Sequence, residues 1–138
     1  MRIYGDELHI ISSEKKFNEF IEKRGYRKFA ERDAESIYAN EDAKVIRVFA
    51  NNGGYVVYVV SRNDTEAKQK YAKYVNVFGK TLKVCTIVAA LFLEQKKDDG
   101  FYELVHVDGN VRNDVASNLV WRLRSERMYA FWQTKHAQ

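Results

Sequence analysis

Between residues 101 and 121 the chain reads as a strand, breaks at a tight turn, and reads as a strand again, a pattern that leaves few folds open. Residues 101–107 have the β-branched and aromatic character of a strand. Asp108-Gly109-Asn110 reads as a turn, because glycine and short polar side chains adopt the backbone angles a turn needs and bond their own amides. Asn113 and Asp114 continue the loop, and Leu119, Val120 and Trp121 after Asn118 form a second short strand. From Arg124 to Lys135 the spacing predicts a helix, with Met128, Phe131 and Trp132 on one face to pack onto the hairpin. The order is strand, loop, strand, helix, with one histidine, His106, at the edge of the turn.

The rest of the chain supplies the layers such a unit needs. Residues 1–11 alternate weakly and suggest a short strand. Ser12 and Ser13 stand before Glu14 as a helix cap, and Phe17, Phe20 and Ile21 give residues 13–23 the spacing of an amphipathic helix that Gly25 ends. Residues 36–78 turn to strands. Residues 44–49 alternate, Asn51-Asn52-Gly53-Gly54 is a strong hairpin signal, and 55–61 is β-branched and aromatic. Residues 62–70 are charged and read as a loop; 71–78 alternate again before Gly79 and Lys80 turn the chain back. Residues 81–95 read as a helix, with Val84, Ile87, Val88, Leu91 and Phe92 on one face and Ala89, Ala90 and Leu93 making the others apolar, so it is expected to be buried. The class is α+β: an N-terminal amphipathic helix, an antiparallel β-meander, a buried helix and a C-terminal strand-strand-helix unit. The boundaries fall at 1–35, 36–97 and 98–138.

Composition narrows the function classes. At 138 residues, 46% hydrophobic, the chain suits one packed domain. No apolar run reaches the roughly 18–20 residues of a membrane helix, and no basic start followed by an apolar block marks a secretory leader. Cys85 is the one cysteine, which excludes an internal disulfide and fits a reducing compartment, hence the cytoplasm; in an apolar helix it reads as core packing rather than a catalytic thiol. A net charge of +4 permits nucleic-acid binding without requiring it. Lys23 and Arg24, with Arg27 and Lys28, form either a solvated helix end or a phosphate contact. Arg122, Arg124, Arg127 and Lys135 are interleaved with Trp121, Tyr129 and Trp132, which favours a DNA-facing helix over an ordinary solvated face.

His106-Val107-Asp108-Gly109-Asn110, then Asn113, then Asn118-Leu119-Val120-Trp121 resembles the HxDGNxxNNxxxNLxW signature of phage and intron-encoded HNH homing endonucleases. Asp114 replaces the second asparagine of the central pair. Residues 84–92 resemble that family's VHRLVAxxF helix, with Cys85 in place of its histidine. Ile37-Tyr38, Val45-Ile46-Arg47 and Gly54-Tyr55-Val56 are similar to its N-terminal β-module. The resemblance covers roughly residues 36–132 and leaves 1–35 unaccounted for. It implies a ββα-metal unit for residues 98–138, with a Mg²⁺ or Mn²⁺ ion cutting a phosphodiester of double-stranded DNA in the host cytoplasm. It further implies that His106 is the general base activating water and that Asn118 braces the loop carrying it.

The chain departs from the family at both of its metal positions. Val105 stands before His106 and offers no ligand atom; the position in the following helix falls on Arg127, a cation that repels Mg²⁺. Asp108 or Glu126 would have to substitute. The leading expectation is therefore an HNH-like, phage-encoded DNA-binding protein with impaired or absent cleavage, in which Arg122, Arg124 and Arg127 contact the backbone. The first alternative is a working Mg²⁺- or Mn²⁺-dependent nickase or endonuclease using His106. The second is a degenerate nuclease fold kept as a module that binds a host or phage protein.

Overall fold

The computed structural model describes residues 8–65, 71–94 and 101–124. The described chain begins with β1 (Leu8–Ile11), α1 (Glu14–Lys23), β2 (Arg27–Arg32), β3 (Glu35–Ala39), β4 (Val45–Asn51) and β5 (Gly54–Ser61). Then come β6 (Tyr74–Val77), β7 (Lys80–Lys83), α2 (Val84–Phe92), β8 (Tyr102–His106), a 3₁₀ turn at Ala116–Asn118, and β9 (Leu119–Leu123). The class is α+β, as the alternation indicates. Among these residues no helix is long and apolar enough to cross a membrane.

Strands β1 to β5 form one antiparallel sheet in the order β1-β5-β4-β3-β2. β2 to β5 make an antiparallel meander, and β1 returns to pair with β5; the meander expected over 36–78 is corrected at both ends, because Arg27–Arg32 joins it and Tyr74–Val77 pairs with Lys80–Lys83 in a separate hairpin. Asn52 (φ 50°) and Gly53 (φ 80°) close the β4–β5 hairpin with both central residues left-handed, the geometry whose twist matches the flanking strands. The middle strands do not alternate between apolar and polar, since both their faces are covered. Ile37 and Val45 point into one core with Val75, Val77 and α2; Tyr38, Ile46 and Val48 point into the other with Phe17 of α1. Phe17 stacks on Tyr55 with ring centroids 4.1 Å apart.

Helix α1 starts where the serine pair predicts: the Ser13 side chain accepts a hydrogen bond from the Lys16 amide at 3.2 Å. Gly25 (φ +68°) lies just beyond its end. Helix α2 is shorter than its sequence spacing suggests. Lys80–Lys83 pair with Tyr74–Val77 as a strand instead of opening the helix at Thr81, because the left-handed pair Phe78 (φ 50°) and Gly79 (φ 90°) folds them back in register. The helix begins only at Val84. Of its residues Val84, Cys85, Ile87, Val88 and Ala89 are buried, in line with its all-round apolarity.

Hairpin β8–β9 sits on the α2 side of the sheet. Leu119, 2% exposed, joins the α2 core, and Leu104, Val115 and Ala116 pack around it. The helix expected after residue 124 lies outside the described residues.

Candidate functional site

The loop between β8 and β9 is fixed by its own side chains. Asn118, nearly buried, accepts from the Asp108 amide at 3.1 Å through Oδ1. Its Nδ2 donates to Asp108 Oδ1 at 2.9 Å and to the Asn113 carbonyl at 2.8 Å. Asp108 Oδ1 also accepts from the Asn110 amide, and its Oδ2 accepts from Asn113 Nδ2, both at 2.8 Å. Gly109 (φ +77°) closes the turn with its amide on the His106 carbonyl at 2.9 Å. The Asn113 hydrogen bond, then the bonds from the Asn110 amide and Asn118, hold the Asp108 carboxyl below its ordinary range.

Three long-range ties pin this loop to the sheet side of the molecule. The Ala116 amide donates to the Glu41 carbonyl at 2.8 Å. Asn63, just after β5, uses both ends of its amide: Oδ1 accepts from the Asp114 amide at 2.9 Å and Nδ2 donates to Asn113 Oδ1 at 3.1 Å. Arg112 donates to the Tyr71 carbonyl at 3.2 Å and meets Asp64 at 3.4 Å. Nothing in the local pattern of the sequence marks Asn63, Asp64 or Arg112 for this task.

His106 ends β8, directly across from Leu119. Its ring faces inward. Nε2 lies 2.8 Å from Asp114 Oδ1, and the side chains are only 10% and 2% exposed. Cys85, in the first turn of α2, comes to the same place: the ligating atoms of Cys85, His106 and Asp114 all lie within 4.8 Å of one another. Burial, then the charge of Asp114, push the Cys85 thiol above its ordinary range. Half-buried Lys73 stands nearby; burial first, then the Arg112 guanidinium, hold its amine below the usual lysine range.

Val105 has no donor atom. Asp108 has oxygens, but both are already engaged inside the loop, and an ion would have to share or displace those bonds. The described residues therefore offer a hard divalent ion at that position one carboxylate, in competition with the loop's own hydrogen bonds. Glu126, Arg127 and Lys135 lie outside the described residues.

The basic side chains are scattered. Arg122 is committed across the hairpin to Glu103, at 2.9 Å through Nη2. Arg124, just past β9, is exposed. Lys23 and Arg24 sit at the end of α1, which packs on the other face of the sheet, and the Arg24 guanidinium lies over Phe20 at 4.0 Å. Arg24 and Arg27 line a cleft of about 410 Å³ that also carries Glu22, Glu41 and Asp42, so the charge there is mixed. Arg27 donates to the Leu91 carbonyl at the end of α2 at 2.6 Å and Lys28 pairs with Glu31 at 2.9 Å. Those two cations of the cluster serve the fold.

Comparison with known proteins gives a distant likeness. A solved structure described as "DNA binding and cleavage by the HNH homing endonuclease I-HmuI" aligns with 73% of this chain and 53% of its own, at 18% identity and a TM-score of 0.44. The chain thus spans about half the length of that protein. No family model and no curated protein matches the chain.

Proposed function

We propose that this chain is a DNA-binding protein built around an HNH-like hairpin, with phosphodiester cleavage impaired or absent. The proposal rests first on the residues that match the HNH signature. Within those residues, one observation carries the cleavage half: His106 turns Nε2 inward onto a buried carboxylate, while Val105 beside it offers no ligand atom and both Asp108 oxygens accept hydrogen bonds inside the loop. A general base must reach a water, and a cleaving ion needs oxygen ligands beside the phosphate. In this reading Asn118 and Asp108 hold the loop's shape, and the surface cations, Arg124 among them, meet the DNA backbone.

The binding half is tested by measuring affinity for double-stranded DNA by fluorescence anisotropy across a salt series. The expected result is an affinity that falls linearly on logarithmic axes, with Arg124→Ala reducing the slope by about 0.9 for one lost phosphate contact. An affinity for a protein partner that is insensitive to salt, with no DNA binding, would replace this reading with a protein-binding module.

A second reading is favoured by the same pair. A buried carboxylate on one imidazole nitrogen is how a histidine base is commonly oriented, its other nitrogen left to take the proton. Under that reading the chain is a working nickase in which Asp114 positions His106. Its mark is metal-dependent nicking of DNA that needs His106.

A further inference from the structure

We propose that Cys85, His106 and Asp114 form a binding site for one borderline-soft divalent cation, zinc foremost, which fastens α2 to the β8–β9 hairpin. The site is separate from the hard-ion position before His106, and it stands independently of whether the chain binds DNA.

Three elements deliver the donors. Cys85 comes from the first turn of α2, His106 from the end of β8 and Asp114 from the loop that follows. Their ligating atoms lie within 4.8 Å of one another. Zinc bonds of about 2.0 Å to nitrogen or oxygen and 2.3 Å to sulfur place tetrahedral ligands between three and four ångströms apart. A shift of less than about 1 Å in each side chain would let one ion sit among them.

A second observation points independently to a ligand. Asp114 is 1% exposed, and its Oδ2 accepts no hydrogen bond among the described residues. A buried carboxylate oxygen without a donor is costly, because burial strips its water and returns nothing. Oδ1 already has His106 at 2.8 Å. A cation held by both carboxylate oxygens, the imidazole and the thiolate would satisfy Oδ2 and balance the charge. It would give the ion three side-chain ligands, the two carboxylate oxygens sharing one corner of the tetrahedron and the fourth corner left to water, as in zinc sites with three protein ligands. The donor chemistry selects the ion: a thiolate with an imidazole favours zinc over magnesium or calcium, which prefer oxygen throughout. On binding, the Cys85 S–H bond breaks and an S–metal bond forms, the hydrogen bond between His106 Nε2 and Asp114 Oδ1 gives way to an N–metal bond with the ring's single proton held on Nδ1, and the thiol proton leaves to solvent; no electron is transferred.

Cobalt(II) titration of the full chain, first stripped with chelator, reads the site directly. The expected result is one equivalent of ion, a thiolate-to-cobalt charge-transfer band in the near ultraviolet, and the strong visible bands of a tetrahedral ion. Zinc should displace the cobalt and raise the melting temperature by roughly 5–10 °C at a hundredfold excess over Kd. Cys85→Ala should abolish the charge-transfer band. Asp114→Asn, which keeps the side chain's shape, should weaken binding by about tenfold to a hundredfold. If either variant fails to fold, Cys85→Ser, which keeps the volume and lacks the thiolate, takes its place and should likewise lose the band. Absence of cobalt binding would overturn the proposal. So would binding without the charge-transfer band, or with affinity unchanged in the variants. DNA affinity measured on the chelated protein tests the functional reading separately, since loss of this ion leaves the surface cations in place.

Discussion

At the scale of single residues the account turns on Asn118 and Asp108. Asn118 makes three hydrogen bonds that close the loop after His106, and it is nearly buried. Removing it leaves the Asp108 amide and the Asn113 carbonyl without these partners. Asn118→Ala should therefore lower stability by about 2–3 kcal/mol, measured as a shift of the urea midpoint at unchanged slope. Asp108 gives a pH signature. Its folded carboxyl is held below the ordinary range, chiefly by Asn113, so it binds its proton less readily folded than unfolded. That contribution is fully present above the unfolded value of about 4 and is lost as pH falls through the folded value. Urea midpoints measured as the pH falls from about 5 through and below the unfolded value of about 4 should fall less steeply in Asp108→Asn than in the parent chain. Equal acid slopes would mean that the loop network does not favour the ionised form. The sequence showed Asp108-Gly109-Asn110 as a turn, and the resemblance implied Asn118 as the brace of the loop. It did not show that His106 would meet Asp114, since only the loop's closure brings residues eight apart into one pocket.

At the scale of elements the burial of α2 carries the hairpin. Ile87 is fully buried in the core cluster that also holds Ile37, Val45 and Leu119. Ile87→Ala should cost about 2–5 kcal/mol, read as a fall in thermal midpoint, and should broaden the amide resonances of Leu119 and its neighbours. The elements whose strand pairing is decided by a neighbour were hardest to read. β2, Arg27–Arg32, is four charges around Phe29 and Ala30, and a bulge between Lys28 and Ala30 spoils its alternation, so it looked like a solvated basic helix end. Lys80–Lys83 carry no strand pattern of their own, and their partner strand decides them. By contrast α1, the β4–β5 hairpin and the paired β8 and β9 follow from caps, turn residues and β-branched, aromatic runs that need no tertiary help.

At the scale of the whole molecule, the five-stranded sheet separates two sets of cations. Lys23 and Arg24 lie with α1 on one face, while Arg122 and Arg124 lie with the hairpin on the other. A net charge of +4 could not reveal that division, nor that Arg122 and Arg27 are spent on internal contacts. What remains central is whether an imidazole turned onto a buried carboxylate still cuts DNA. Incubating supercoiled plasmid with Mg²⁺ or Mn²⁺ and either the parent protein or His106→Ala answers this most directly. The account predicts no nicking above the rate without protein, and no difference between the two chains. Metal-dependent nicking by the parent that disappears in His106→Ala would contradict it.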